Sequence, residues 1–316
     1  MFRLANLPLA ASLALAAACG IPGAAPRATV PAVDAVTGRI TAAEADLPGA
    51  DLASVRGPAG VLLWGAALQA GQIVGGASPD CVLRRQATGS LGAVTQRCQG
   101  MLGAYAALER ARGFFLSAGA EALAPAPVLV EPLGDPAEGL GPGLRYLNGV
   151  DAFALFPGPS GARVPASLNS GAVAREAARR HLRSLFEVHP DEAEGVALFL
   201  GAAASGDPGY LAASDPTGDP MGETDLARPL RSTAGPAAQL AGALWAWAEQ
   251  TGDLVFASRA ALAAARALSA SRPGDGGPAS PALLSLVAGQ LDGAERDQAC
   301  AVFRARLGVM DLSACP

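Results

Sequence analysis

The sequence contains no lysine, and all 23 basic residues among its 316 positions are arginines. With 28 acidic residues, the chain carries a net charge of −5 at neutral pH, and it has no long run of basic residues. Proteins that bind nucleic acid usually present a clustered basic surface to the phosphates. We therefore set nucleic acid aside as a partner and attribute the absence of lysine to genome composition.

Histidine and aromatic side chains are also scarce. The chain has two histidines and only 5% aromatic residues, although 51% of its residues are hydrophobic. Alanine dominates this apolar fraction, which 39 glycines and 25 prolines interrupt. Such a composition favours alanine-rich helices joined by glycine and proline loops. The length is sufficient for one large or two modest domains with hydrophobic cores.

Residues 1–18 are typical of a bacterial signal peptide. Arg3 is followed by an apolar stretch from about Leu7 and then by small residues. This stretch is shorter than the roughly 20 apolar residues that a membrane-spanning helix needs. The sequence LAAAC, which ends at Cys19, resembles the lipobox of bacterial lipoproteins, although Ala16 stands where leucine is usual. An ordinary signal peptide cleaved nearby is the alternative.

The lipobox resemblance implies that Cys19 is acylated and becomes the first residue of an exported, membrane-anchored lipoprotein. Gly20 follows the cysteine and resembles the pattern that sorts lipoproteins to the outer membrane. Residues 19–40 are rich in proline, alanine and glycine, which predicts a flexible tether with little to bury. We therefore expect a folded domain held away from the membrane by a lipid-linked segment.

The remaining cysteines are Cys81, Cys98, Cys300 and Cys315, an even number in a chain expected to enter an oxidising compartment. Three pairings are possible. The local pairing, Cys81 with Cys98 and Cys300 with Cys315, closes two short loops and is the one we favour. A metal site with four cysteine ligands is disfavoured, because the sequence contains no CxxC pair.

Strand patterns precede helix patterns along the chain. Residues 41–100 contain short apolar runs between glycine and proline, which predicts a small strand-rich N-terminal region. The segments APVLVEPL and VDAFALFPGP predict two further strands ended by proline. Helices are predicted at 101–119, 171–187, 190–204, 233–250, 254–270 and 279–308, the last one broken. This order predicts an α+β fold.

The predicted helix GAVAREAARRHLRSLFE, residues 171–187, is amphipathic. Arg175, Glu176, Arg179 and Arg183 fall on one face, and alanine and leucine residues fall on the other. Zinc proteases with an HExxH helix place two histidines four residues apart on one face, with a glutamate that activates the zinc-bound water. Arg175 and Arg179 have the spacing of those histidines. Taken alone, REAAR is also a common pattern of solvated helices.

The surrounding sequence adds to this match. DAFALFPGPSGARVPASLNSGAVAREAARRHLRSLF followed by DEAEGVALFLGAAASGDPGYL resembles the core of thermolysin-like, or gluzincin, metallopeptidases over roughly residues 100–310. The resemblance implies a metallopeptidase-like domain at residues 101–316, with an active-site-type helix and a mainly helical C-terminal part. It places Glu194 where the family has its third zinc ligand. Leu198 stands where the family has an aspartate that supports this ligand.

The departures from the family pattern predict a degenerate site. It consists of Arg175, Glu176, Arg179 and Glu194, with no catalytic residue, metal or cofactor. An arginine side chain stays protonated and offers no lone pair to zinc. We expect instead that a guanidinium pairs with Glu194 in place of the metal, and that Glu176 lies close to this pair.

Three functional hypotheses remain at this stage. The preferred one is a catalytically inactive, metallopeptidase-like lipoprotein that binds an unknown protein or peptide ligand at the cell envelope. The second is an envelope hydrolase whose metal has moved to His181, His189 and Glu194, although His181 points away from the expected cleft. The third is a helical lipoprotein unrelated to proteases.

The first prediction concerns the anchor. Because Cys19 ends an apolar signal, the protein produced in a bacterial host should partition with membranes and incorporate labelled palmitate. Cys19→Ser should abolish the labelling, since it removes the acylated thiol. A wild-type protein that is soluble, with an N-terminus beyond Cys19, would show that the lipoprotein prediction is wrong.

Overall fold

The structure is a computed structural model that describes residues 25–33, 39–132, 143–156, 167–211, 225–228, 235–270, 279–308 and 312–315. The fold belongs to the α+β class, as the sequence predicts, and among the described residues about 50% are helical and 22% are in strands. The predicted signal peptide and Cys19 lie outside the described residues. Within the described part, no helix has the length and apolar character needed to cross a membrane.

The first sheet has four strands in the order β2-β1-β7-β6. They are β1 (Arg27–Val33), β2 (Ile40–Asp46), β6 (Leu83–Arg85) and β7 (Leu91–Ala93). The prediction of a flexible tether at residues 19–40 is therefore wrong for β1, which pairs antiparallel with β2 and parallel with β7. Ala28 and Val30 alternate into the core, and both are buried. The segment therefore forms a strand because its side chains alternate between the core and the surface, although its composition is rich in proline.

The second sheet is larger and contains the strands nearest to the predicted site. They are β3 (Arg56–Gly57), β4 (Gly60–Gln69), β5 (Gln72–Ala77), β8 (Pro127–Val130), β9 (Gly143–Leu147) and β10 (Ala152–Phe156). The order is β3-β4-β8-β10-β9, and β5 also pairs with β4. Strands β4, β8 and β10 are parallel, whereas β9 runs antiparallel to β10 at the edge. The two strands predicted between prolines are β8 and β10.

This sheet crosses the predicted boundary at residue 100, because β8 pairs directly with β4. Buried side chains of both sheets form one core with the long helix α1 (Gln96–Ser117). The strand-rich part therefore continues as far as β10. Sequence periodicity cannot reveal this pairing, which joins segments more than 60 positions apart.

Seven helices follow α1 in the described chain. They are α2 (Ser170–His181), α3 (Arg183–Val188), α4 (Pro190–Ser205), α5 (Pro236–Thr251), α6 (Leu254–Ser269), α7 (Ala279–Gly289) and α8 (Gly293–Leu307). The predicted helix 171–187 is thus two helices that meet at Leu182. The break leaves Leu182 and Leu185 both inside the helical core. The third hypothesis requires a purely helical protein. The two sheets rule out such a fold.

Helix α2 lies between the two cores. Val173 packs into the core formed by the sheets and α1, whereas Ala174 and Ala178 pack into the core formed by the later helices. Its opposite, charged face is therefore held between the edge strand β9 and helix α4. This position determines the geometry of the site described below.

Both predicted disulfides are confirmed. Cys81 pairs with Cys98 in the first turn of α1, and Cys300 in α8 pairs with Cys315 near the C-terminus. The Cα atoms of each pair lie 5.7 Å apart, within the range usual for disulfides. The local pairing is therefore the one present. One bond ties Cys81 to the first turn of α1, and the other ties Cys315 to the middle of α8.

The second prediction concerns the disulfide at the C-terminus. Replacing Cys300 and Cys315 together by serine should lower the free energy of unfolding by about 3 kcal/mol, because the bond closes a short loop in the unfolded chain. Urea unfolding under non-reducing conditions measures the change. Addition of a reductant should lower the free energy of unfolding of the wild type toward that of the variant. Equal stability of both proteins without reductant would contradict the prediction.

Candidate functional site

The site begins at the N-terminus of α2, where Asn169 caps the helix. Its Oδ1 accepts hydrogen bonds from the backbone N–H groups of Gly171 and Ala172, each at 3.1 Å. Its Nδ2 donates to the carbonyl oxygen of Tyr210 at 2.5 Å. The cap therefore fixes the start of α2 against the segment that follows α4.

Two glycines allow α2 and α4 to approach closely. A Cβ atom at Gly171 would lie 2.4 Å from Cγ of Tyr210, and a Cβ atom at Gly201 would lie 2.8 Å from the carbonyl oxygen of Gly171. Both distances are too short for any larger residue unless the backbone moves. This close packing brings the charged face of α2 against Glu194 in α4.

Both guanidinium groups of α2 bind Glu194. Arg175 donates from Nε to Oε1 at 2.7 Å and also from Nη2 to the same oxygen. Arg179 donates from Nε to Oε2 at 2.9 Å and from Nη2 to Oε2 at 2.5 Å. Four N–H groups thus surround one carboxylate. The predicted ion pair between arginine and Glu194 is confirmed, and it involves both arginines.

Glu176 connects this pair to the second sheet. Arg179 Nη1 donates to its two oxygens at 3.2 and 3.3 Å, and Arg145 Nη1 lies 3.5 Å from its Oε1. The backbone N–H of Tyr146 in β9 donates to Oε2 at 2.9 Å. The residue is only 1% exposed. Glu176 therefore lies beside the arginine pair, as predicted, and is held by α2 and the edge strand together.

The charged face of α2 is not a solvated surface. The side chains of Arg175, Arg179 and Glu194 are only 19%, 26% and 18% exposed. Burial alone would raise the pKa of Glu194, but the charges of Arg175 and Arg179 outweigh it and hold this pKa below its ordinary value. The pair therefore stabilises the fold at neutral pH, and this contribution is lost only as the pH falls through the lowered pKa.

The chemistry of these donors does not suit a metal. Both oxygens of Glu194 accept hydrogen bonds from guanidinium groups, which have no lone pair for a cation. Across the described residues, no three His, Cys, Asp or Glu side chains are grouped so that they could hold a metal ion. The arrangement can bind and orient charged groups, but it contains no activated nucleophile.

The two histidines occupy different surroundings. The ring of His181 packs edge-on against Phe115, with centroids 5.2 Å apart. Burial, together with the charges of Arg180 and Arg266, lowers the pKa of His181 to about 4. His189 lies between α3 and α4, and its Nε2 is buried with no hydrogen-bond partner among the residues that the structure describes.

The chain matches no known protein family, no curated protein and no solved structure. The metallopeptidase resemblance therefore depends on the residues of this chain alone. The four residues of the site are arranged as we expected for a site in which arginine replaces the metal. This arrangement does not identify a related protein.

Sequence reasoning missed a second group of charges beside this site. Arg180 donates to the two carboxylate oxygens of Asp151 at 2.8 and 2.9 Å, and Tyr146 Oη donates to Oδ1 at 2.9 Å. The hydrogen bonds from Arg180 are the main cause that lowers the pKa of Asp151 to about 2. Arg145 was missed as well. Arg145, Tyr146 and Asp151 lie about 20–25 positions before the start of α2, and the pairing of β9 with β10 brings them to the helix.

The third prediction tests the arginine pair. Glu194→Ala should lower the free energy of unfolding by about 2–4 kcal/mol, because it leaves two partly buried guanidinium groups without their carboxylate. Chemical unfolding followed by circular dichroism measures this change. The control is Glu187→Ala, which removes an exposed carboxylate from the neighbouring helix α3 and should change stability by less than about 0.5 kcal/mol. Equal effects of the two substitutions would contradict our assignment.

Proposed function

We propose that the protein is a catalytically inactive, metallopeptidase-like lipoprotein that binds a protein or peptide ligand at the cell envelope. The observation that carries this proposal is the double pairing of Arg175 and Arg179 with Glu194. A zinc enzyme needs neutral or anionic ligands with free lone pairs at those positions. Here two permanent cations meet the carboxylate that the resemblance assigns to zinc.

The electrostatics of the site support this reading. A partly buried carboxylate needs a positive charge nearby, and either zinc or arginine can provide it. With the arginines present, the need is met without a metal. Glu176, which would activate water in a zinc enzyme, instead accepts hydrogen bonds from Arg179 and from the backbone of β9.

The charge balance indicates the kind of ligand. Three arginines, Arg145, Arg175 and Arg179, surround two glutamates, Glu176 and Glu194, which leaves one excess positive charge. The side chain of Arg145 is 34% exposed, so part of that charge is accessible. We therefore expect an acidic segment of the partner to bind here through side-chain contacts.

Strand addition to β9 is a less suitable mode of binding. Within the described sheet, β9 pairs with β10 on one side. The N–H of Tyr146 on its other side already donates to Glu176. An extended peptide that paired with β9 would compete with this buried carboxylate for the donor.

The alternative is an envelope hydrolase with a relocated metal. It would need His181, His189 and Glu194 as ligands. Glu194 is occupied by the arginines, and the ring of His181 packs on Phe115. These contacts favour the inactive protein over the hydrolase.

The fourth prediction tests the proposed relationship by restoring the ligands. The double variant Arg175→His and Arg179→His should bind zinc together with Glu194, because two histidines four residues apart face the same carboxylate. Wild-type protein should contain no zinc after dialysis, and added zinc should not change its melting temperature. Elemental analysis and thermal melts measure both properties.

The matched control is Arg175→Gln with Arg179→Gln, which removes the same charges without supplying imidazole ligands. It should bind no zinc. If the wild type retains zinc, the hydrolase hypothesis gains support and the proposed inactive role is wrong. If the double histidine variant folds but binds no zinc, α2 and α4 do not have the geometry of a zinc site.

A further inference from the structure

A second site lies at the junction of α2 and α3, next to α6. It is a cavity of about 360 Å³, which we call the α2–α6 cavity. Its apolar walls come from Leu123, Leu182 and Leu262. The other lining residues are polar or charged. The volume of the cavity is in the range of sites for small organic molecules, and its lining suits a ligand with a charged group.

The charged groups around this cavity are not balanced. Arg180 also lines it, but Asp151 already neutralises that charge. Arg183 and Arg266 line it from α3 and α6. Among the described residues neither forms a direct ion pair, although the charge of Arg183 helps to lower the pKa of Asp151. Glu121 supplies the remaining negative charge, so one positive charge stays uncompensated.

Both of these arginines make hydrogen bonds within the protein but have more N–H donors than those bonds use. Arg183 hydrogen-bonds the side chain of Tyr146. Arg266 uses Nη2 to donate to the carbonyl oxygen of Gly119 at 3.1 Å, which leaves its other N–H groups available. Both residues are exposed, so a ligand can reach them without displacing the core. Guanidinium groups bind carboxylate and phosphate oxygens with two parallel hydrogen bonds.

We propose that the α2–α6 cavity binds a small organic anion, whose carboxylate or phosphate group pairs with Arg183 and Arg266 and whose apolar part lies against Leu123, Leu182 and Leu262. His181 and Ser184 also line this cavity. This proposal does not depend on the inactive-protease hypothesis, because it uses none of the residues that bind Glu194.

The test uses His181 as a reporter. An anion bound near the imidazole favours its charged form, so the pKa of His181 should rise on binding. Benzoate and phenyl phosphate are the probes, and benzyl alcohol is the neutral counterpart. The chain of 316 residues has only one other histidine, His189, whose NMR signal serves as an internal reference. His181→Gln assigns the two signals.

We expect benzoate or phenyl phosphate to shift the His181 signal saturably, and benzyl alcohol to have no such effect. The better of the two anions identifies the head group. Arg266→Gln should weaken this binding by about tenfold, as expected for the loss of one charge-assisted contact. Arg183→Gln should weaken it in the same direction. Thermal melts check that the variants are folded.

The matched control is Arg259→Gln. Arg259 lies on the same helix and also donates through Nη2 to a backbone carbonyl, that of Ser117 at 3.1 Å, but it does not line the cavity. Its substitution should leave anion binding unchanged. The proposal is overturned if neither anion shifts the His181 signal, if benzyl alcohol binds as well as the anions, or if Arg266→Gln and Arg259→Gln behave alike.

Discussion

The interaction on which the rest of the structure depends is the pairing of one carboxylate, Glu194, with two guanidinium groups from the facing helix. It fixes α2 against α4, at a place where two glycines already bring the backbones close. Through Glu176 the same network reaches the backbone of β9, so the helical core and the second sheet meet at one set of charges. Removing Glu194 would leave Arg175, which forms no other ion pair in the described structure, as a partly buried charge without its counterpart.

The requirement for charge balance also explains how such a site can exist without a metal. A buried carboxylate is costly unless a cation lies beside it, and the requirement concerns charge and hydrogen bonds rather than the identity of the cation. Two arginines provide more donors than a carboxylate can accept, and part of this excess goes to Glu176. We infer that a site arranged in this way favours stability and ligand binding over catalysis.

Helix α2 therefore takes part in two electrostatic environments. Near its middle, arginines and glutamates lie close together and satisfy one another. At its C-terminal end, Arg180 is satisfied by Asp151, but the arginines of α3 and α6 that border the α2–α6 cavity form no direct ion pair with a carboxylate of the described residues. The first environment holds the fold together. The second leaves charge available to a ligand, as expected of a binding site rather than of a structural ion pair.

The sequence by itself determined the fold class, the positions of most helices and the local disulfide pairing, because these follow from short-range periodicity and from the small loops that the cysteines close. It also determined that Arg175 and Arg179 share one helix face and that arginine cannot bind zinc. Only the tertiary structure decided that this face is buried, since REAAR has the same pattern on a solvated helix. The sequence likewise did not predict three features of the structure. They are the pairing of β1 with β7, the position of β9 beside α2, and the contribution of Arg145 and Asp151 to the site. These features depend on contacts between residues that are distant along the chain. The free energy of such contacts cannot be predicted from a local sequence pattern.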